Sequence, residues 1–99
     1  MQERHPSSGD REQAAFYAGL SFLLAGAADS AAVYLSHTAT SPVLVIADRS
    51  RWYLAQACLL RDDPDGAIRW LEPLAADSPG YRRKAAEQLA KIRRRIEGR

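Results

Sequence analysis

Residues 51–79 read RWYLAQACLLRDDPDGAIRWLEPLAADSP, and this stretch decides the fold. Trp52, Ala55 and Leu59 recur at i, i+3 and i+7, which places them on one helical face. A second stripe follows at the same spacings of three and four: Ala67, Ile68, Leu71, Leu74 and Ala75. Between the stripes lies Asp62-Asp63-Pro64-Asp65-Gly66. Asp63 suits a helix N-cap and Pro64 the first helical turn. The stretch therefore reads as a helix, a tight turn and a second helix folded back on the first. Such a hairpin cannot bury both stripes alone and needs a neighbour.

The neighbour is an earlier copy of the same pattern. Ala18-Gly19, Phe22, Gly26, Ala31 and Leu35 match Leu54-Ala55, Cys58, Asp62, Ala67 and Leu71 at a constant offset of 36 residues. That offset is close to the period of roughly 34 residues found in tetratricopeptide repeats. The second copy carries Leu54-Ala55-x-x-Cys58, Ala67-x-x-x-Leu71 and Pro79, where that family has Leu-Gly-x-x-Tyr, Ala-x-x-x-Phe and Pro. Over residues 12–96 the chain thus resembles a tetratricopeptide repeat protein, in degenerate form. Arg51 stands where the family has Trp, with Trp52 one place later, and Ala18 replaces Leu in the first copy. The resemblance implies an all-α fold of about five helices. They would form antiparallel hairpins stacked as a short right-handed superhelix.

Composition fits one small domain. Of 99 residues, 46% are hydrophobic and 26% charged, ordinary for a globular chain. The single cysteine, Cys58, precludes an internal disulfide and falls within a predicted helix, where a buried, inert thiol is expected.

Along the chain, residues 1–9 lack periodicity and read as a tail, residues 10–96 as the helical domain, and 97–99 as a second tail. Asp10 and Gln13 resemble a capping box, so helix one is expected at 10–25. Asp29 is the expected cap of helix two, 29–38, and Pro42 disfavours helix at Ser41. Val43–Ile46 has strand propensity but no partner strand, so it reads as a connection or as the start of helix three. Asp48 marks that start, giving 48–61; helix four follows at 64–76, bent by Pro73. Ser78-Pro79 starts helix five, 79–96, with Tyr81, Ala85, Leu89, Ile92 and Ile96 as its buried stripe.

Charge is divided unevenly. From Arg82 onward eight basic and two acidic residues give +6, leaving −4 on the first 81 residues. Arg82-Arg83-Lys84 and Arg93-Arg94-Arg95 invite a nucleic-acid or acidic-surface reading. Against it, no aromatic residue beyond Tyr81 interleaves this helix, and late cations also suit the helix dipole. Ala14–Ala28 is a run of 15 uncharged residues, short of the roughly 20 that span a bilayer. Acids outnumber bases ahead of it, unlike a secretory signal. A cytoplasmic place is favoured, with the soluble part of a membrane-associated protein as the alternative. The final Ile96-Glu97-Gly98-Arg99 matches the recognition sequence of a coagulation protease used to remove tags, as a remnant or by coincidence.

Chemistry-bearing motifs are few. Asp63, Asp65, Gly66 and Glu72 have the spacing of a calcium loop, but Arg61 occupies its first ligand position. His5 and His37 are the only imidazoles, and no nucleophile elbow, phosphate loop or zinc spacing occurs. The sequence points to no enzyme, metal or cofactor. It points instead to a protein-interaction module. In tetratricopeptide repeats the first helix of each pair lines a groove for a peptide or a partner helix. The resemblance places Phe16, Leu20 and Leu23 in its first row and Arg49, Trp52, Gln56 and Leu59 in its second, with Lys84 and Lys91 from helix five. Trp52 and Phe16 suit core and groove equally. The other readings are nucleic-acid binding by the basic helix and self-association through the apolar first helix.

Overall fold

The computed structural model describes residues 8–98, with side-chain environments from Asp10 onward. Five helices follow one another: α1 (Ser8–Leu24), α2 (Ala28–Thr38), α3 (Leu44–Leu60), α4 (Pro64–Asp77) and α5 (Arg82–Glu97). No strand occurs among the described residues. Each helix packs against the next, and α1 also touches α3. The helices thus form successive antiparallel pairs, with α1, α3 and α5 on one side and α2 and α4 on the other.

The two copies share more than a pattern. Gly26 has φ +82° and Asp62, at the equivalent place, has φ +56°. Each ends its helix in a left-handed residue, and the same pair of bonds follows. Ala27 N–H donates to Phe22 O at 2.8 Å and Gly26 N–H to Leu23 O at 3.0 Å. In the second copy, Asp63 N–H donates to Cys58 O at 2.8 Å and Asp62 N–H to Leu59 O at 3.1 Å. These bonds satisfy carbonyls that a helix end leaves orphaned. Glycine adopts this backbone freely, whereas aspartate pays a steric cost of about 1 kcal/mol. Asp62→Gly is therefore expected to raise stability by about 0.5–1 kcal/mol. A chemical melt in which it is neutral or destabilising would contradict the left-handed cap.

The core lies in two connected clusters. Phe16, Ala31, Leu35, Ala39 and Leu54 join α1, α2 and α3, while Ala55, Cys58, Ala67, Leu71, Leu74, Ala85, Leu89 and Ile92 join α3, α4 and α5. Trp70 packs against both. Gly19, the counterpart of Ala55, sits so close to α2 that a Cβ there would lie 2.8 Å from Leu35 Cγ. The apolar clusters are pinned by short polar links. Thr38 and Ser50 share a hydrogen bond of 2.6 Å between α2 and α3. Ser78 Oγ donates to Asp48 Oδ2 at 2.8 Å, tying the α4–α5 turn to α3.

Several expected helix starts are corrected. α1 begins two residues before Asp10, so Asp10 lies in its first turn rather than at its cap. The N-cap of α2 is Ala27, and Asp29 instead pairs with Arg61 Nε at 2.9 Å. α3 begins at Leu44, not Asp48: Ser41 Oγ accepts from Val43 N at 3.0 Å while donating to the Glu12 carboxylate of α1. That bridge fixes the chain entry, so Val45 and Ile46 become helical despite their strand propensity. α5 begins at Arg82 because Ser78 Oγ holds the 78–81 turn by accepting from Tyr81 N at 3.2 Å. Asp63 caps α4 as expected, accepting from Gly66 N at 3.0 Å, and the helix continues past Pro73 to Asp77. The helical unit therefore covers 8–97 rather than 10–96. The remainder of the expected tails, residues 1–7 and 99, lies outside the described residues.

Cys58 is buried. Burial foremost, and then the charge of Asp63, pushes its thiol pKa up from the ordinary 9.0. The Tyr81 phenol is likewise raised, chiefly by burial. In both cases the folded state prefers the neutral form. Their stabilising contribution is full below the unfolded pKa and is lost as pH rises through the folded one. The melting temperature should therefore fall above about pH 9, and Cys58→Ala should remove the earlier part of that fall. An unaltered alkaline profile in Cys58→Ala would show that the thiol takes no part.

Candidate interaction groove

α1, α3 and α5 lie side by side, and the groove between them is built from one face of α3. Arg49, Tyr53, Gln56 and Leu59 follow at i, i+4, i+7 and i+10 along that face. At its middle, Phe16, Tyr17, Leu20, Arg49, Tyr53 and Tyr81 surround a cleft of ≈ 240 Å³. Toward the α3 N-terminus, Leu44, Val45, Arg49, Pro79, Tyr81 and Lys84 line a second cleft of ≈ 350 Å³. Toward its C-terminus, Leu59, Gln88, Lys91, Ile92, Arg95 and Ile96 line a third of ≈ 260 Å³.

The expected groove residues fare unequally. Leu20 is half-buried at the rim, and Arg49, Lys84 and Lys91 are exposed. Trp52 is half-buried: its ring stacks on Tyr81, centroids 5.5 Å apart at 26°, and packs against the α3–α5 core. It lines none of the three clefts itself and reaches the groove through Tyr81, which lines two of them. Phe16 is corrected to a core residue, 3% exposed and enclosed by Ala31, Leu35 and Leu54 with Tyr53 against its ring, so it adds only to the floor of the middle cleft. Gln56 is corrected as well, because its amide is committed. Its Nε2 donates to Gln88 Oε1 at 2.8 Å and to Trp52 O at 3.2 Å, and its Oε1 accepts from Gln88 Nε2 at 2.9 Å. This reciprocal pair clasps α3 to α5. Ile96, expected in the buried stripe of α5, is 39% exposed and lines the third cleft.

Arg49 and Lys84 meet around Tyr81, where Lys84 Nζ lies 5.9 Å from the ring centroid. Lys91 does not join them; it stands with Arg95 at the third cleft. Tyr53, Tyr17 and Gln88 were not singled out by sequence reasoning. The two tyrosines had a signal, since they occupy equivalent positions 36 residues apart. Gln88 had none, because a lone glutamine on a charged helix reads as a solvated side chain.

No protein-family model, curated protein or solved structure matches this chain. No helix among the described residues is long and apolar enough to cross a membrane. The groove presents rings and aliphatic side chains beside exposed cations.

Proposed function

We propose that this chain is a protein-interaction module of tetratricopeptide-like build, holding a peptide or partner helix against the α1–α3–α5 face. The supporting observation is the gathering of Tyr17, Leu20, Tyr53, Tyr81 and Arg49 around one open cleft. Aromatic and arginine side chains make effective anchors because they bring large contact area with a polar handle. A selection from a displayed random-peptide library tests this reading. Enriched peptides should bind the parent protein and lose affinity on Arg49→Glu and Tyr17→Ala, both exposed positions. Enriched peptides that bind both variants undiminished would place the ligand elsewhere and end the proposal.

Self-association is the second reading, favoured by one observation. The first hairpin exposes Leu24 (81%) and Val33 (71%), and it also exposes the stacked pair Phe22 and Tyr34. Light scattering on the parent and on Val33→Glu would separate the two readings. A dimer that the substitution dissolves supports self-association, whereas a monomer at all concentrations removes it.

A further inference from the structure

We infer that the ligand of this groove is an amphipathic helix with an acidic stripe, lying along α3 between α1 and α5. The inference rests on the interaction-face reading above and names its ligand. Three observations lead there.

The first is that the two walls differ. The α1 wall offers Tyr17 and Leu20, within the uncharged run Ala14–Ala28. The α5 wall offers Lys84, Gln88, Lys91 and Arg95 at i, i+4, i+7 and i+11, the spacing of a single helical face. Lys84 sits over Tyr81, and Lys91 and Arg95 line the cleft with Leu59, so this row faces the groove. A ligand must match an apolar edge on one side and a cationic edge on the other.

The second is that, among the described residues, no carboxylate forms an ion pair with these cations, although Asp48 lines the second cleft and Asp62 and Asp63 the third. The ion pairs among the described residues engage Arg51, Arg61 and Arg93, and none engages Arg49, Lys84, Lys91 or Arg95. Asp62 and Asp63 close the groove at the α3 C-terminus, the end that suits the positive N-terminal pole of a docked helix.

The third concerns the ligand's backbone. An extended peptide needs partners for its main-chain N–H and C=O groups. The groove floor is helical, with its own backbone satisfied, and the Gln56 amide is consumed by Gln88 and the Trp52 carbonyl. A helix carries its backbone hydrogen bonds within itself and asks only for side-chain complementarity. The face from Val45 to Leu59 is about 21 Å long, room for roughly four helical turns.

Synthetic helices test this directly. The first probe is an alanine-based peptide of about 15 residues, with leucines on one edge and glutamates on the next at helical spacing. The second has the same composition with the stripes permuted, the third replaces glutamate by lysine, and the fourth is a single-stranded oligothymidine. Binding is read by fluorescence anisotropy at low and at physiological ionic strength. The glutamate-striped peptide should bind, weaken with salt, and exceed the permuted peptide by roughly tenfold. The double variant Lys84→Glu/Lys91→Glu should lose roughly tenfold for the glutamate stripe and gain affinity for the lysine stripe, a rescue that misfolding cannot produce. Equal binding of the striped and permuted peptides would overturn the inference. So would oligothymidine binding preferentially, in a manner lost on Arg83→Ala/Arg94→Ala and indifferent to Lys84 and Lys91. If no striped peptide binds but library-selected peptides still depend on Arg49 and Tyr17, the helix inference falls and the groove reading stands. If those peptides are also indifferent to Arg49 and Tyr17, both fall.

Discussion

Truncating Leu71 to alanine is expected to cost about 2–5 kcal/mol, the range for deleting a fully buried leucine side chain. Leu71 has no solvent exposure and packs in the cluster formed by Ala55, Cys58, Ala67, Leu74, Ala85, Leu89 and Ile92. Those neighbours come from three helices, so the void cannot close by moving one of them. Small residues line much of it: Ala55, Ala67 and Ala85 have no rotamers with which to fill space. The loss should therefore sit toward the upper end of the range. A domain of this size holds roughly 5–15 kcal/mol in total, and each kcal/mol shifts its melting point by about 4–8 °C. The measurement is thermal unfolding followed by circular dichroism, with Leu35→Ala as the companion variant. Leu35 is equally buried in the first copy, where the near approach of Gly19 leaves less room to relax. A shift of only a degree or two for Leu71→Ala would contradict the packing of the second hairpin.

The helix pairs were legible because their signal is repeated. Spacings of three and four residues recur in both copies, and Ala31 and Ala67, like Leu35 and Leu71, are fully buried as that pattern requires. Helix starts were less legible for a physical reason. Asp10, Asp29 and Asp48 are all good caps by residue type, yet Asp10 lies in the first turn of α1 and the N-caps of α2 and α3 are Ala27 and Val43. Asp29 finds Arg61, distant in sequence, and Asp48 turns inward to accept from Ser78 and Arg51. Such long-range partners leave no local mark. The same holds for Thr38 and Ser50: Ser50 Oγ can donate to the Ile46 carbonyl at 2.7 Å while accepting from Thr38 Oγ1 at 2.6 Å, so two hydroxyl protons serve both contacts. Short hydroxyl side chains satisfied in this way can be buried at little cost, so their residue type does not predict their burial.

The groove was half legible for a related reason. Equivalent positions in the two copies have unequal surroundings. Phe16 and Trp52 share one register position, yet Tyr17 and Tyr53 enclose Phe16 until it is buried, while Trp52, between Tyr81 and the α3–α5 core, stays half-buried. Repeat arithmetic assigns the face of a helix. What covers that face depends on the neighbouring helix, and α5 is not a copy of α3. The clasp between Gln56 and Gln88 arises from that difference, and it turns a would-be contact for a ligand's main chain into a structural tie.

Trp52→Ala should therefore act on both stability and binding, and the two effects can be separated. Removing the ring deletes its contacts with the α3–α5 core and its stack on Tyr81. A fully buried aromatic truncation costs about 3–5 kcal/mol, and the partial exposure of Trp52 lowers the expectation to about 2–3 kcal/mol. The domain should remain folded at room temperature with a lower melting point, while affinity for groove ligands falls by tenfold or more, the mark of an anchor residue. Trp52→Phe keeps a ring on Tyr81 and should restore most of the stability and part of the affinity. Arg49→Ala should leave the melting point nearly unchanged and slow association, because an exposed charge steers encounter more than it holds the complex. Circular dichroism and stopped-flow binding on these three variants decide the matter. A chain unfolded by Trp52→Ala would make Trp52 a core residue and remove it from the groove. A folded variant with undiminished affinity would mean that the ligand does not reach the α3 face at all.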